Sequence, residues 1–262
     1  MRNIRLVLIG IAVLLIAAVM TACGTDEPSV PTSEDITKDN VSEICDILRS
    51  GGLSNVDEFE TWVLRSQEGE GDDETGTTGF ADADCRMTVM LLAGDQISAD
   101  SVNEKYDGDY LMFDLDIIEN NPDYALLRDK QRLFETLFGE MPIPSGHFEK
   151  AYPANLEKHG IRFGNEKSAV VSIVFKVLDR EEAFVGHTGI LVDCSDMPEA
   201  GAKYVFVEKI AFGEPFQVTR LNNLDELMAL FSSRPDYATE DGEPAPVVCM
   251  DDKVVGTLEI EQ

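Results

Sequence analysis

The apolar residues of the chain first gather in one uninterrupted run over residues 6–20, directly after Arg2 and Arg5. The run is shorter than the ~20 residues that a membrane-spanning helix needs. Basic residues followed by a short apolar stretch are typical of a secretory signal peptide. We therefore predict that residues 1–22 are a signal peptide and that the rest of the chain is exported.

The apolar run is followed by Thr21-Ala22-Cys23, in which small residues stand immediately before a cysteine. This end resembles the cleavage box of bacterial lipoproteins, whose cysteine becomes the lipidated first residue of the mature chain. An ordinary signal peptide and a short N-terminal anchor are the alternatives. The lipoprotein interpretation predicts a stable two-chain anchor on Cys23. The membrane is then a partner, and the location is the extracellular face of the bacterial cytoplasmic membrane, in the cell envelope.

Residues 23–40 follow the predicted signal peptide and are rich in Pro, Ser, Thr, Asp and Glu. A segment of this composition cannot bury enough apolar surface to fold. We therefore predict a disordered tether over residues 23–40. A single folded domain is expected over residues 41–262.

Apolar residues at helical spacing dominate the first part of this domain, about 41–165. The predicted helices cover residues 41–48, residues 56–66, a buried segment that begins at Cys85, a long amphipathic segment over 121–138, and a weaker segment within 145–160. Residues 68–78 contain no apolar side chain and predict an exposed loop. Residues 110–118 alternate in polarity, which favours a short strand or turn. Asp114 and Asp116 then lie on a solvated face rather than in a calcium site.

From residue 168 the pattern changes to runs of β-branched and aromatic residues of strand length. These runs cover residues 170–177, 184–192 and 204–212, and they predict an antiparallel meander. A helix over 222–231 and a hairpin over 247–260 complete this second part, about 168–262. Helices followed by an antiparallel sheet are typical of the α+β class, which is the predicted fold class.

The chain is strongly acidic, with 50 acidic and 21 basic residues and a formal net charge of -29. Such a surface repels polyanions, which argues against nucleic acid as a partner. The cysteines at 45, 85, 194 and 249 do not have the pattern of a disulfide framework. Together with the histidines they also lack the spacing of a metal site. We expect no metal, no cofactor and a monomer, with His147 and His159 at the surface.

Cys85 and His187 form a candidate active site. Cys85 begins the buried helix, and His187 lies in the second predicted strand. The N-terminal N–H groups of a helix lower the pKa of a thiol from ~8.5. Asp82 or Asp84 caps this helix in our prediction, and their charges raise the pKa of the thiol. Whether a thiolate forms then depends on a basic partner, and His187 is the candidate.

The order of these two segments is similar to that of papain-like thiol hydrolases and their NlpC-type relatives, which cut bacterial cell-wall peptides. Asp84-Cys85 is similar to the Asp-Cys pair of the NlpC type, and Gly186-His187-Thr188-Gly189-Ile190 looks like its His-Val-Gly-Ile strand. Arg86 stands where that type has a small residue. The resemblance implies a papain-like arrangement in which a central cysteine helix precedes the sheet that carries the histidine.

The resemblance also implies a third residue on the next strand, which orients the imidazole. Glu208 is the candidate because it is an acid within an apolar strand. Lys209 and Gln217 remain alternatives, since the sequence does not fix which of them faces His187. In this scheme Cys85 attacks an amide carbonyl of a cell-wall peptide and His187 takes the thiol proton.

Four segments carry a closer resemblance, and it extends over nearly the whole mature chain. They are Asp84-Cys85-Arg86-Met87-Thr88, Phe113-Asp114-Leu115-Asp116, Phe184-Val185-Gly186-His187-Thr188-Gly189-Ile190-Leu191 and Phe206-Val207-Glu208-Lys209-Ile210-Ala211-Phe212-Gly213-Glu214-Pro215-Phe216-Gln217. By these segments the chain is identified as a member of the domain of unknown function 4300 family of Gram-positive envelope lipoproteins. The resemblance carries no established activity with it. Three hypotheses follow: a thiol hydrolase, a non-catalytic module that binds a peptide or wall fragment in a papain-like groove, and a structural envelope lipoprotein.

Overall fold

Helices make up most of the first part of the fold, as the sequence predicts. The computed structural model describes residues 30–68, 83–240 and 242–260. In these residues seven α-helices precede the meander and one follows it. They are α1 (Val41–Ser50), α2 (Val56–Glu68), α3 (Cys85–Ala93), α4 (Met112–Asn120), α5 (Ala125–Arg128), α6 (Gln131–Phe138), α7 (Ala151–His159) and α8 (Leu224–Ser232).

The strands form one large sheet and one small sheet. They are β1 (Ser33–Asp35), β2 (Ile97–Ser98), β3 (Met141–Pro142), β4 (Arg162–Phe163), β5 (Ser168–Lys176), β6 (Glu182–Asp193), β7 (Tyr204–Lys209), β8 (Phe216–Leu221), β9 (Val247–Met250) and β10 (Lys253–Thr257). The large sheet has the order β1-β8-β7-β6-β5-β9-β10, with β3 also paired to β6, and β2 pairs with β4. The strands β5 to β8 are consecutive antiparallel neighbours, and β9 forms a hairpin with β10. The α+β class, the meander and the hairpin are therefore confirmed.

The large sheet buries apolar side chains on both faces. Ile190 and Val192 of β6 pack with the helices of the first part, whereas Leu191 between them packs with Phe206 and α8. Successive side chains of a strand point to opposite faces of the sheet. The helices α3 and α8 therefore lie on opposite faces. The helix α3 packs against β6 and β7 and is buried on nearly every side, as its composition predicts.

The folded part begins earlier than the sequence predicts. Residues 33–35 of the expected tether form β1, which pairs antiparallel with β8, and Ile36 is only 2% exposed. The hydroxyl groups of Ser33 and Thr219 lie 2.8 Å apart and are hydrogen-bonded. An edge strand is held mainly by main-chain hydrogen bonds, which composition does not reveal. A tether over the whole of residues 23–40 is therefore wrong at its C-terminal end.

Two local predictions in the helical part are also wrong. Residues 112–120 form the helix α4 rather than a strand or turn. An alternating run this short does not distinguish the period of a helix from that of a strand. The helix expected over residues 121–138 is divided into a 3-10 turn at Pro122–Tyr124 and the helices α5 and α6. The last break comes at Lys130, whose φ of -105° and ψ of 3° lie outside the α-helical region.

One of the two histidines expected at the surface is buried. His147 is exposed, but His159 at the end of α7 is covered by residues 100–101, whose N–H groups donate to its carbonyl oxygen. The predicted signal peptide, the lipidation site Cys23 and most of the predicted loop lie outside the described residues. Within the described part of the chain, no helix combines the length and apolar character needed to cross a bilayer.

Candidate active site

Cys85 occupies the first position of α3, as the sequence predicts. Of the two candidate caps, Asp84 lies within the described residues and caps the helix, since its Oδ1 accepts the Met87 N–H at 2.9 Å. The Asp84 carbonyl oxygen also accepts from the Thr88 hydroxyl at 2.7 Å. The start of the helix is therefore fixed, and Cys85 is buried with 4% of its surface exposed.

The environment of Cys85 disfavours the thiolate. Burial, together with the charge of Asp84, raises the pKa of the thiol to about 12, against the opposing effects of Arg86 and the hydrogen bond from the Thr188 N–H. The net direction of the shift, which the sequence left open between the helix N–H groups and the aspartates, is therefore upward. Desolvation outweighs the helix N–H groups because the whole first turn is excluded from water.

Arg86 is held in a buried charge cluster at the same end of α3. Its Nη2 lies 2.9 Å from Asp84 Oδ2 and 3.0 Å from Asp114 Oδ2, and its Nε donates to Asp114 Oδ1 at 3.1 Å. Asp114 is itself buried, so its predicted place on a solvated face is wrong. The three side chains of the cluster therefore pair with one another, and the pairing joins α3 to α4.

The two carboxyl groups of this cluster shift each other's pKa. Burial and the charge of Asp84 raise the pKa of Asp114 well above its ordinary value. Burial also acts to raise the pKa of Asp84, but Arg86, Asp114 and the Met87 N–H together bring it below its ordinary value. Asp114 is therefore the weaker acid of the two, and Asp84 is the stronger.

The N-terminus of α3 fills a gap beside β6. The strand β7 pairs with β6 over residues 189–193, and β3 pairs only with Glu182 and Ala183. Among the described residues, positions 184–188 of β6 therefore have no strand partner on that edge. The Val185 carbonyl oxygen instead accepts from Arg86 Nη1 at 3.2 Å, and the Thr188 N–H donates to Cys85. Cys85 thus reaches the main chain of β6 one residue after His187.

His187 points away from α3, on the face of β6 that also carries Leu191, and a bulge in β6 lies next to it towards the start of the strand. His187 lies opposite Ile173 and Val185 lies opposite Val174, so Gly186 is an extra residue between them. Ile173 faces α8, and the imidazole of His187 lies on that same side. A Cβ atom at Gly186 would come within 2.5 Å of the Phe175 ring. Position 186 therefore requires glycine for close packing.

The imidazole of His187 is bound by a buried acid. Its Nε2 lies 2.6 Å from Glu208 Oε2, and both side chains are almost fully buried. Glu208 also accepts hydrogen bonds from Arg234, through Nη1 at 2.8 Å and through Nη2. Burial acts to raise the pKa of Glu208, but Arg234 and His187 lower it to about 2. Glu208 is therefore the ionised partner of His187.

The two alternatives to Glu208 are directed elsewhere. Lys209 Nζ donates to the Glu214 carbonyl oxygen and lies 5.0 Å from the centre of the Phe216 ring. Gln217 Nε2 donates to Asp35 Oδ1 at 3.1 Å. Of the three candidates for the orienting residue, only Glu208 contacts the imidazole.

Cys85 contacts the stretch of β6 that carries His187, but the structure gives no hydrogen bond between these two described residues. Tyr237 lies near both: its ring centre is 5.8 Å from that of His187, and the charge of a Cys85 thiolate acts to raise the pKa of the Tyr237 hydroxyl. Arg234 and Tyr237 were not singled out in the sequence, because nothing about a single arginine before a Pro-Asp-Tyr turn marks it as a partner of a distant acid.

No three His, Cys, Asp or Glu side chains within the described residues are placed to hold a metal ion.

Comparison with known proteins places these residues within one family. A family model described as Domain of unknown function (DUF4300) matches residues 71–255, which include Cys85, His187, Glu208 and Arg234. No curated protein and no solved structure matches the chain, so the papain-like arrangement has no fold match behind it. The matched region covers most of the chain, and the protein therefore belongs to the DUF4300 family.

Proposed function

We propose that the protein is a membrane-anchored thiol hydrolase that acts on an amide bond, with Cys85 as nucleophile, His187 as general base and Glu208 as the acid that orients the imidazole. The observation that carries the proposal is the buried 2.6 Å contact between His187 Nε2 and Glu208 Oε2. An imidazole held in this way has its other ring nitrogen available to take a proton. The NlpC-type resemblance suggests a cell-wall peptide as substrate.

The raised pKa of Cys85 favours activation during the attack over a stored thiolate. His187 Nδ1 accepts the thiol proton while the sulfur bonds to the carbonyl carbon, and N–H groups at the start of α3 stabilise the oxyanion. The imidazolium then protonates the departing amine as the C–N bond breaks. Water, deprotonated by His187, hydrolyses the thioester and restores the thiol.

A non-catalytic envelope lipoprotein that binds a peptide or wall fragment is the second candidate. It is favoured by the burial of Cys85, the high pKa of its thiol and the lack of a hydrogen bond to His187. In that case Cys85 is a packed thiol, and the network around His187 stabilises the sheet. The membrane anchor on Cys23 belongs to both proposals, and loss of fatty-acid labelling in Cys23→Ala tests it.

Alkylation by iodoacetamide separates the two candidates, with each cysteine followed by peptide mass spectrometry from about pH 6 to about pH 9. Cys45 and Cys249 are buried thiols whose pKa values are also raised to about 12, so they are internal references. A hydrolase site predicts that Cys85 reacts faster than both at neutral pH, and that His187→Ala removes the difference. Reaction of Cys85 at the rate of Cys249 would reject the hydrolase and favour the binding protein. Circular dichroism of His187→Ala and His187→Gln checks that the fold is retained.

A further inference from the structure

Arg234 contacts the carboxylate beside His187 and lies between the end of α8 and a 3-10 turn at Pro235–Tyr237. Its guanidinium meets both oxygens of Glu208, and Nη1 also donates to the Tyr237 hydroxyl at 2.9 Å. The rings of Phe231 and Tyr237 each have their centre 5.6 Å from the guanidinium carbon. The side chain is therefore fixed on both sides, and it presents a planar pair of donors to one carboxylate.

The buried charges beside His187 balance each other. The titratable or charged groups around the imidazole are Glu208 on β7 and Arg234 and Tyr237 beyond α8, while Cys85 at the start of α3 contacts the next residue of β6, Thr188. Arg234 supplies one positive charge to the one buried carboxylate. A second positive charge on His187 would have no further carboxylate in this group to pair with.

The hydrogen bonds of Glu208 determine where the neutral imidazole carries its proton. An ionised carboxylate only accepts hydrogen bonds, so the ring nitrogen in contact with it must be the donor. Glu208 Oε2 accepts from both Arg234 Nη1 and His187 Nε2. A protonated Glu208 could instead donate to Nε2, and the proton of the ring would then move to Nδ1.

We propose that Arg234 is a positioning residue, which keeps Glu208 ionised and thereby makes neutral His187 carry its proton on Nε2 and leave Nδ1 unprotonated. Arg234 acts through Glu208 and touches neither Cys85 nor a substrate. The assignment of the tautomer depends only on the contacts of Glu208. Its consequence for catalysis, a ring nitrogen ready to accept the thiol proton, rests on the proposed hydrolase function.

The tautomer is measured by NMR on protein labelled with ¹⁵N-histidine, with His187 assigned by its loss in His187→Gln. We expect the neutral wild-type ring to be protonated at Nε2, and Arg234→Gln to remove that form. The matched control is Arg220→Gln, because Arg220 binds the Ala200 carbonyl oxygen, Glu34 and Glu43, away from His187. Arg234→Lys keeps the charge without the paired donors and is expected to retain the Nε2–H form. A wild-type ring protonated at Nδ1 would overturn the proposal with no variant needed, and so would an unchanged tautomer in folded Arg234→Gln.

Alkylation of Cys85 in the same samples separates this proposal from the hydrolase. If Cys85 is reactive, we expect Arg234→Gln to slow its alkylation by roughly 10- to 100-fold at neutral pH, because less of His187 then has an unprotonated Nδ1 to act as base. A changed tautomer with an unreactive wild-type Cys85 would leave Arg234 as a positioning residue and reject the hydrolase. If Cys85 is reactive and Arg234→Gln changes neither its rate nor the His187 tautomer, the role of Arg234 is rejected and the hydrolase is retained.

Discussion

Arg86 meets Asp114 edge to edge, with Nε 3.1 Å from Oδ1 and Nη2 3.0 Å from Oδ2. This paired contact joins the first turn of α3 to α4, while Nη1 of the same guanidinium binds the Val185 carbonyl oxygen of β6. One side chain therefore holds three elements together at the point where Cys85 reaches the sheet. Arg86, which stands where the NlpC type has a small residue, therefore has a structural role in this chain.

Removal of the Arg86 guanidinium should destabilise the fold strongly. Arg86→Met leaves Asp84 buried without its counter-charge, and breaking a buried pair in this way typically costs about 3–5 kcal/mol. Urea unfolding measures the loss. The control is Arg162→Met, because Arg162 and Asp100 form an exposed pair with 60% and 65% of their side chains accessible, and exposed pairs contribute little to stability. Equal losses in both variants would contradict the buried cluster.

The early start of the fold predicts a stability effect within the expected tether. Ile36→Ala should lower the free energy of unfolding by about 2–5 kcal/mol, because a buried isoleucine is replaced by a smaller side chain. Val30→Ala is the matched control, since Val30 is exposed and surface substitutions usually stay within about 0.5 kcal/mol. If urea unfolding shows the two variants alike, Ile36 does not belong to the core.

Gly189 faces a ring that leaves no room for a methyl group. A Cβ atom there would lie 2.5 Å from Phe206 Cζ and 2.9 Å from the Val207 carbonyl oxygen. Gly189→Ala should therefore cost about 1–3 kcal/mol through overpacking. The double variant Gly189→Ala/Phe206→Leu should recover part of that loss, because the shorter side chain makes room. Strictly additive losses in a double-mutant cycle would show that the Phe206 ring is not the obstacle.

Asp251 should make stability depend on pH in a defined direction. It lies in the turn between β9 and β10, and its Oδ1 accepts the Val170 N–H at 2.8 Å. Burial raises its pKa to about 6, above the ~3.9 of an unfolded chain. Its contribution to stability is therefore complete below ~3.9 and is lost as the pH rises through about 6.

The test of this dependence is a series of urea unfolding curves for wild type and Asp251→Asn at several pH values. Asparagine keeps an oxygen acceptor for the Val170 N–H but does not titrate. The stability of Asp251→Asn relative to wild type should therefore rise between about pH 4 and about pH 6. Asp107→Asn, at an exposed position outside this turn, controls for the change of net charge. A constant difference between wild type and Asp251→Asn across this range would refute the shift.

Local features of the site could be predicted because they depend on residues close in sequence. The Asp84 cap and the start of α3 at Cys85 lie within one helical turn. The strand that carries His187 and the one that carries Glu208 follow from their β-branched and aromatic composition. The choice of Glu208 combined the resemblance, which implies an orienting residue on the next strand, with the position of an acid within an apolar run.

What the sequence by itself determined is the α+β class, the helix that begins at Cys85, the meander and the residues that carry candidate chemistry. Only the tertiary structure decided that β1 completes the edge of the sheet, that His187 lies on the face of β6 that packs against α8, and that Arg234 neutralises Glu208. It also decided the net direction of the Cys85 pKa shift, which the opposing effects of the helix and the aspartates had left open. The physical reason is range: caps and strand propensities act over a few neighbouring residues. Burial and charge pairing depend on side chains that are far apart in sequence, and these meet only when the chain folds.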